Sequence, residues 1–321
     1  MKLVIQIPCY NEEKILPKVL KSIPQKIDGI NEIIILVIND GSTDRTEQIA
    51  QQNGIDVIIS NHANIGLAKS FSRGIDKALS IGADIIVNTD GDNQYKSEDI
   101  PRLIEFIVKQ KADIVIGNRT PEKVEHFSSK KRVLQRFGNI IISKLAGISI
   151  PDAVSGFRAY SRDAALRLSV HSNFSYTVET LLNSALQGLT IKFIDIETNI
   201  TNRPSRLSSG IFDFIFKQGV TILRTFIINK PFFIFGILAL ILGIPGLIIC
   251  LSFLYHFFNG NGEGHIQSLV LAAILIICSF ISFLFAGITN LISNNRKILE
   301  EQLYLTRKQY YKNSSLNKIT K

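Results

Sequence analysis

The order of apolar and polar positions divides the chain into two parts of different character. Up to about residue 206, short apolar runs alternate with longer runs of helical period. "LVIQIP", "EIIILVIND", "DVIIS", "ADIIVNT" and "ADIVIGN" read as strands, most of them near-continuous in Ile and Val. Between them "NEEKILPKVLKSI", "DRTEQIAQQNG", "GLAKSFSRGIDKALSIG" and "EDIPRLIEFIVKQ" read as helices, the second starting at Ser42 or Asp44 and stopping at Gly54. Strands without a polar face are covered on both sides, which predicts an α/β domain with a mostly parallel sheet wrapped by helices. From Pro231 the pattern changes. "PFFIFGILALILGIPGLIICLSFLYHFF" and "SLVLAAILIICSFISFLFAGITNLIS", residues 231–258 and 268–293, hold no charged side chain. A bilayer core needs about 20 apolar residues at roughly 1.5 Å rise each, so two membrane spans are expected.

The stretch between the two parts, residues 207–230, places Ile211, Phe212, Ile215, Val220, Leu223, Phe226 and Ile227 broadly on one side of a helix. That predicts an amphipathic helix lying in the membrane interface. The chain has 321 residues, 46% of them hydrophobic, and a net charge of +9. Its basic residues are placed unevenly. The loop between the spans has none, whereas the tail, residues 294–321, carries Arg296, Lys297, Arg307, Lys308, Lys312, Lys318 and Lys321. Arg224 and Lys230 flank the other end of the first span. The positive-inside tendency then puts the first 206 residues and the tail in the cytoplasm. "MKLVIQIP" is too short for a signal-peptide core and reads as a first strand. Cys9, Cys250 and Cys278 show no metal or disulfide spacing. Two spans make a membrane surface, not a nucleic acid, the expected partner of the positive charge. They also offer little protein to enclose a lipid, so a homo-oligomer is a further expectation.

In parallel sheets ligands bind beyond the C-terminal ends of the strands. Here those ends read "PCYNEE", "NDGSTD", "SNHANIG", "NTDGDNQ" and "GNR". No Gly-x-Gly-x-x-Gly follows the first strand, which argues against a dinucleotide site. In "NTDGDNQY" Asp90 and Asp92 stand one residue apart. Asp, Gly and Asn are ordinary turn residues, so a plain polar turn is one reading. The other is a cation held between two carboxylates.

Six motifs in order, "PCYNEE", "NDGSTDRT", "NIGLAKSFSRGI", "DGDNQ", "GNR" and "SGFRAYSR", decide between these. With them the chain resembles the inverting family-two glycosyltransferases of GT-A fold, and among those the polyprenyl-phosphate, dolichyl-phosphate mannose synthase-like type. The resemblance covers residues 1 to about 206. It implies a Rossmann-like catalytic domain that moves a sugar from a UDP- or GDP-linked donor to a dolichyl or undecaprenyl phosphate. It also implies Mg²⁺ or Mn²⁺ at Asp90, Asp92 and the Gln94 side chain, a hard ion bridging carboxylates and diphosphate. Asp40 is implied to contact the nucleoside, with Pro8, Tyr10 and Glu12 in the same half. Asn11 or Asp44 is equally readable as a helix cap.

Arg119 follows a strand and suits a phosphate, because its planar fork matches phosphate oxygens; a surface salt bridge is the alternative. The resemblance puts it near the acceptor phosphate or the diphosphate, and puts Ser155 and Arg158 beside the donor sugar and acceptor path. It further implies that Arg203 and Arg206 belong to a basic loop closing over the diphosphate. Lys130, Lys131, Arg132 and Arg136 form the basic face of a helix suited to lipid head groups, or simply to water. The sequence departs from the family in one place. Members that glycosylate a hydroxyl keep a catalytic base in an "ED" pair, and here Glu179 is followed by Thr180. A phosphate acceptor is already anionic and needs no base, so the departure favours a lipid phosphate. A glycan hydroxyl acceptor and a non-catalytic scaffold remain the alternatives.

Overall fold

A computed structural model describes residues 1–120, 129–172, 175–199, 211–260, 264 and 266–319; the side chains of 129–134, 211–215, 218 and 314–319 lie outside that description. The chain separates into two compact units, one of residues 1–222 with 303–321 and one of residues 223–302.

The first unit holds a seven-stranded sheet. Its strands are β1 (Lys2–Cys9), β2 (Glu32–Asn39), β3 (Val57–Ser60), β4 (Ile85–Asn88), β5 (Ile114–Asn118), β6 (Arg158–Ser161) and β7 (Ile191–Asp195). They stand in the order β3-β2-β1-β4-β6-β5-β7. All run parallel except β6, which pairs antiparallel with both β4 and β5. The helices α1 (Leu16–Ser22), α2 (Thr46–Gln52), α3 (Leu67–Ser80), α4 (Ile100–Val108), α5 (Ser129–Ala146), α6 (Arg162–Arg167) and α7 (Thr177–Leu186) connect them.

Each sheet face carries its own core. On one, Leu16, Val19, Ile100, Leu103 and Ile104 of α1 and α4 meet Leu3, Ile5, Ile7 and Val87. On the other, Phe71, Ile75 and Leu79 of α3 and Val178, Leu181 and Leu182 of α7 meet Val4, Leu36, Ile38 and Ile86. Adjacent strand residues thus bury alternately on opposite faces, and this explains the unbroken Ile and Val runs.

Two last helices of this unit's sequence cross its border with the second: α8 (Ile211–Asn229) and α10 (Ile266–Ile319). The part of α10 from Leu303 belongs to the first unit and packs into its core through Tyr304 and Tyr311. Tyr304 Oη donates to Asp163 Oδ1 at 2.5 Å, and the Arg167 guanidinium lies 3.8 Å from the centre of the Tyr304 ring. Arg307 donates to the Leu168 carbonyl at 2.7 Å and pairs with Asp76 at 3.3 Å. Tyr311 Oη reaches the same Asp76. The tail, basic in composition, therefore contributes buried side chains to the first unit.

In the second unit α9 (Pro231–Phe258) and the first part of α10 are long and apolar enough to cross a membrane. They approach closely where side chains are small. Ser279 Oγ donates to the Ala239 carbonyl at 2.7 Å, and a Cβ on Gly243 would stand 2.6 Å from that hydroxyl. Leu240, Ile241, Leu247, Ile277 and Phe280 point away, each more than half exposed. Apolar helices bare over most of their surface suit lipid contact rather than a water-soluble core.

Candidate active site

Strand order reverses around β1, whose neighbours β2 and β4 lead away on either side. The crevice beyond the C-terminal ends of β1 and β4 is the place where open α/β sheets bind ligands. The loop after β1 brings Tyr10 and Glu12, and the loop after β4 brings Asp90, Asp92 and Gln94. Because β6 runs antiparallel, the residues before it arrive at that same edge. This is how Ser155, Gly156 and Phe157 join loops that follow the other strands.

The acid loop is packed without spare room. A Cβ on Gly91 would stand 2.8 Å from Cys9 Sγ and 3.3 Å from the Pro8 carbonyl, so only glycine lets the loop lie on the end of β1. Asp92 Oδ1 accepts from the Gln94 backbone N–H at 3.0 Å. Asn199 ties the far side of the loop, donating to the Gln94 carbonyl at 2.8 Å and to the Asn93 carbonyl at 3.0 Å. Burial, and next the charge of Asp92, push the Asp90 carboxyl up to about 7; Arg119 and Arg158 draw it down and Glu12 adds to the rise. An acid so placed is short of positive charge.

The donor set of Asp90, Asp92 and the Gln94 amide is all oxygen, which fits a hard divalent cation such as Mg²⁺ or Mn²⁺. Among the described residues no group of three or more His, Cys, Asp or Glu side chains forms a metal cage. Asp90, Asp92 and Gln94 would supply only part of the oxygen shell of such an ion, which Mg²⁺ tolerates because it keeps several waters.

Residues 4–168 match the family described as Glycosyl transferase family 2. The chain belongs to that family. It is 30% identical over 198 residues to a dolichyl-phosphate hexose transferase of Haloferax volcanii, covering 60% of this chain and 81% of the relative. It is 28% identical over 216 residues to a UDP-N-acetylglucosamine–dolichyl-phosphate N-acetylglucosaminyltransferase of Methanococcus voltae, covering 61% and 84%. Among solved structures, glucosyl-3-phosphoglycerate synthase of Mycobacterium tuberculosis in complex with Mn²⁺ and UDP-glucose superposes with a TM-score of 0.52 at 20% identity, over 70% of this chain and 78% of that one. The GT-A fold expected from the motifs is the fold observed.

The family motifs distribute their polar groups in an unexpected way. Asp40, expected at the nucleoside, is buried, and its carboxylate accepts from Asn61 Nδ2 at 2.7 Å and from the backbone N–H groups of Ile65 and Gly66 at 3.0 Å each. It holds the loop between β3 and α3, and Arg73 of α3 grips Asn61 from the other side. Asp44 accepts from Thr46 N at 3.0 Å and Glu13 N at 3.1 Å, so it serves the start of α2 and the β1 loop.

Pro8 is buried at the end of β1 and Tyr10 is exposed, whereas Glu12 is buried beside the acids and helps raise Asp90. Arg119 does not stand open. Nε and Nη2 grip the buried Asp152 bidentately at 2.7 and 2.9 Å, and Gln135 of α5 reaches that carboxylate at 3.2 Å. Arg158, expected on the acceptor side, is buried and donates to the carbonyls of Ser155, Thr177 and Ala153 and to Thr180 Oγ1 at 2.8 to 3.0 Å. It joins β6 to α7 and reaches no open surface. The Ser155 hydroxyl beside it is buried and has no hydrogen-bond partner among the described residues.

Glu179 accepts from the backbone N–H groups of His171 and Ser172 at 2.8 to 3.1 Å. It is a loop holder. Arg203 and Arg206 lie outside the described residues, as does the side chain of Arg132 on α5. Asp152 was missed by sequence reasoning, although it sits three residues before the "SGFR" motif.

Proposed function

We propose that the chain transfers one sugar, with inversion, from a UDP- or GDP-linked donor to a polyprenyl phosphate, dolichyl or undecaprenyl, at the cytoplasmic face of the membrane that its two apolar helices cross. The observation that carries the acceptor is Glu179. Its carboxylate is engaged by backbone N–H groups, so the site offers no general base there, and a phosphate nucleophile needs none. The names of the two relatives point the same way.

In this reading Pro8, Tyr10 and Glu12 line the donor half, and Asp90, Asp92 and Gln94 hold a divalent ion. That ion, when bound, offsets the charge of the leaving nucleotide diphosphate. Arg119, fixed by Asp152 through Nε and Nη2, supplies positive charge for a phosphate oxygen. Ser155 and Gly156 border the sugar. The acceptor phosphate then attacks the anomeric carbon from the side opposite the diphosphate, which leaves as the new bond forms, in a single in-line displacement favoured by positioning and fixed charge. Near the acceptor, α5 exposes Phe137 and Ile140, a face that suits the lipid side of such a reaction. Basic Arg203, Arg206 and Arg132 add charge for the diphosphate and for anionic head groups.

The test uses purified full-length protein in detergent with polyprenyl phosphate, Mg²⁺ or Mn²⁺ and labelled UDP- and GDP-sugars. Label in the extracted lipid, absent with a chelator and with Asp92→Asn, is the expected result. Transfer that requires a hydroxyl-bearing glycan lipid overturns the acceptor. Failure of every donor to bind overturns the enzyme.

A further inference from the structure

The backbone of Gly156 is held on both sides, at its N–H and at its carbonyl, by groups that the reaction itself does not use. Its N–H donates to Tyr95 Oη at 2.9 Å. Its carbonyl accepts from Asn88 Nδ2 at 2.9 Å and from Tyr176 Oη at 3.2 Å, and Asn88 Nδ2 also donates to Tyr176 Oη at 2.7 Å. Gln6 Nε2 completes the set by donating to Asn88 Oδ1 at 2.9 Å. All four side chains are buried. Each ring is braced in turn: Tyr176 stacks on Phe71 with centroids 3.8 Å apart and planes 2° from parallel, and Tyr95 stacks on Phe157 at 5.2 Å.

What this grip faces is Asp90. A Cβ on Gly156 would stand 3.0 Å from Asp90 Oδ2, 3.2 Å from Asp90 Oδ1 and 3.0 Å from Tyr176 Oη. The carboxylate of Asp90 therefore rests directly on the bare face of Gly156. Four elements meet here: Gln6 from β1, Asn88 from β4, Tyr95 from the acid loop and Tyr176 from the start of α7.

We propose that Asn88, Tyr95 and Tyr176 are positioning residues for the metal-binding Asp90: by clamping the two peptide units that flank the Gly156 Cα they fix the wall against which Asp90 is aimed. The proposal rests on the metal role given above to Asp90 and Asp92. The Asn88 amide and both tyrosine hydroxyls are hydrogen-bonded within this buried network, which fixes their geometry, and groups one shell removed from a metal commonly change its affinity about 10- to 100-fold when lost. Tyr→Phe at either ring keeps the stacking and deletes only the hydroxyl.

The deciding measurement is Mn²⁺ affinity of the full-length protein, read from the electron paramagnetic resonance signal of free Mn²⁺, beside the thermal midpoint of the metal-free protein. Asp92→Asn marks loss of the site. Tyr176→Phe and Tyr95→Phe are expected to weaken Mn²⁺ about three- to tenfold each, the effect of losing the two hydrogen bonds of the Tyr176 hydroxyl or the one of Tyr95, and Gly156→Ala about tenfold or more. Wild-type binding that Asp92→Asn abolishes but both Tyr→Phe variants keep unchanged, whatever their thermal midpoints, overturns the clamp and leaves the function standing. Wild-type protein that binds no Mn²⁺ overturns the metal role and the clamp with it.

Discussion

Asp40 and Asp90 occupy matching places. Each follows a buried parallel strand next to β1, and each is followed by glycine, in "VINDG" and "VNTDG". Their surroundings differ completely. Asp40 has three protein N–H donors on its carboxylate, two of them from the backbone. Asp90 has a second acid beside it, a third in Glu12, and a raised pKa. One acid organises the protein, and the other carries the charge that the proposed metal ion would offset. An acidic strand end is thus a ligand site only when the fold leaves its charge uncompensated.

The sharpest way to break this contrast is to remove the charge at each place. Asp90→Asn and Asp92→Asn are expected to lower the transfer rate about a hundredfold or more, while the metal-free protein melts at the same temperature or higher, because one of two adjacent like charges is gone. Lipid-label assays and thermal melts check both halves. Asp40→Ala should show the reverse emphasis, a loss of about 2–4 kcal/mol in denaturant unfolding as three donors lose their acceptor. A stable Asp40→Ala protein with abolished donor binding would erase the distinction.

Glu179 is a third carboxylate, of the Asp40 kind. Its Gln variant should lose less than about tenfold in rate, where removal of a general base would cost roughly 10² to 10⁴. The smallest effect is expected at the tail. Burial alone would raise Asp163, but the hydrogen bonds from Tyr304 and Arg167 outweigh it and leave its pKa lowered. Its contribution is therefore present above the ordinary carboxylate value of about 4 and is lost as pH falls through the lowered folded value. Tyr304→Phe should move acid unfolding to slightly higher pH, with a loss of a few tenths to about 1 kcal/mol at this partly exposed site. Acid titrations followed by circular dichroism check it.

The strands β1 to β5, the helices between them and the acid loop were legible because each rests on local pattern: apolar runs, helical period, turn residues. β6 was not, since "RAYS" opens on a buried arginine, tolerated only through partners at positions 153, 155, 177 and 180. β7, "IKFID", is a partly exposed edge strand and gives a weak signal. Arg119 looked open because Asp152, which closes on it, lies 33 residues away. Asp40 and Asp90 looked alike for the same reason: the loop that satisfies Asp40 comes 21 to 26 residues later. Residue type was readable from the string, but compensation depends on distant neighbours.

The docking of Tyr304 and Tyr311 also bears on how the protein is made. Tyr311 meets Asp76 across 235 positions, and both tyrosines belong to the core that α3 and α7 begin. A ribosome delivers the sheet first and these two rings some 100 residues later, roughly 5–20 s at ordinary synthesis rates. In that interval both apolar helices must leave for the bilayer while the half-finished catalytic unit waits with an open patch over α3 and α6. If these helices insert as they are made, insertion would precede completion of the first unit's core, and a chain stalled before Leu303 would lack the two rings that complete it.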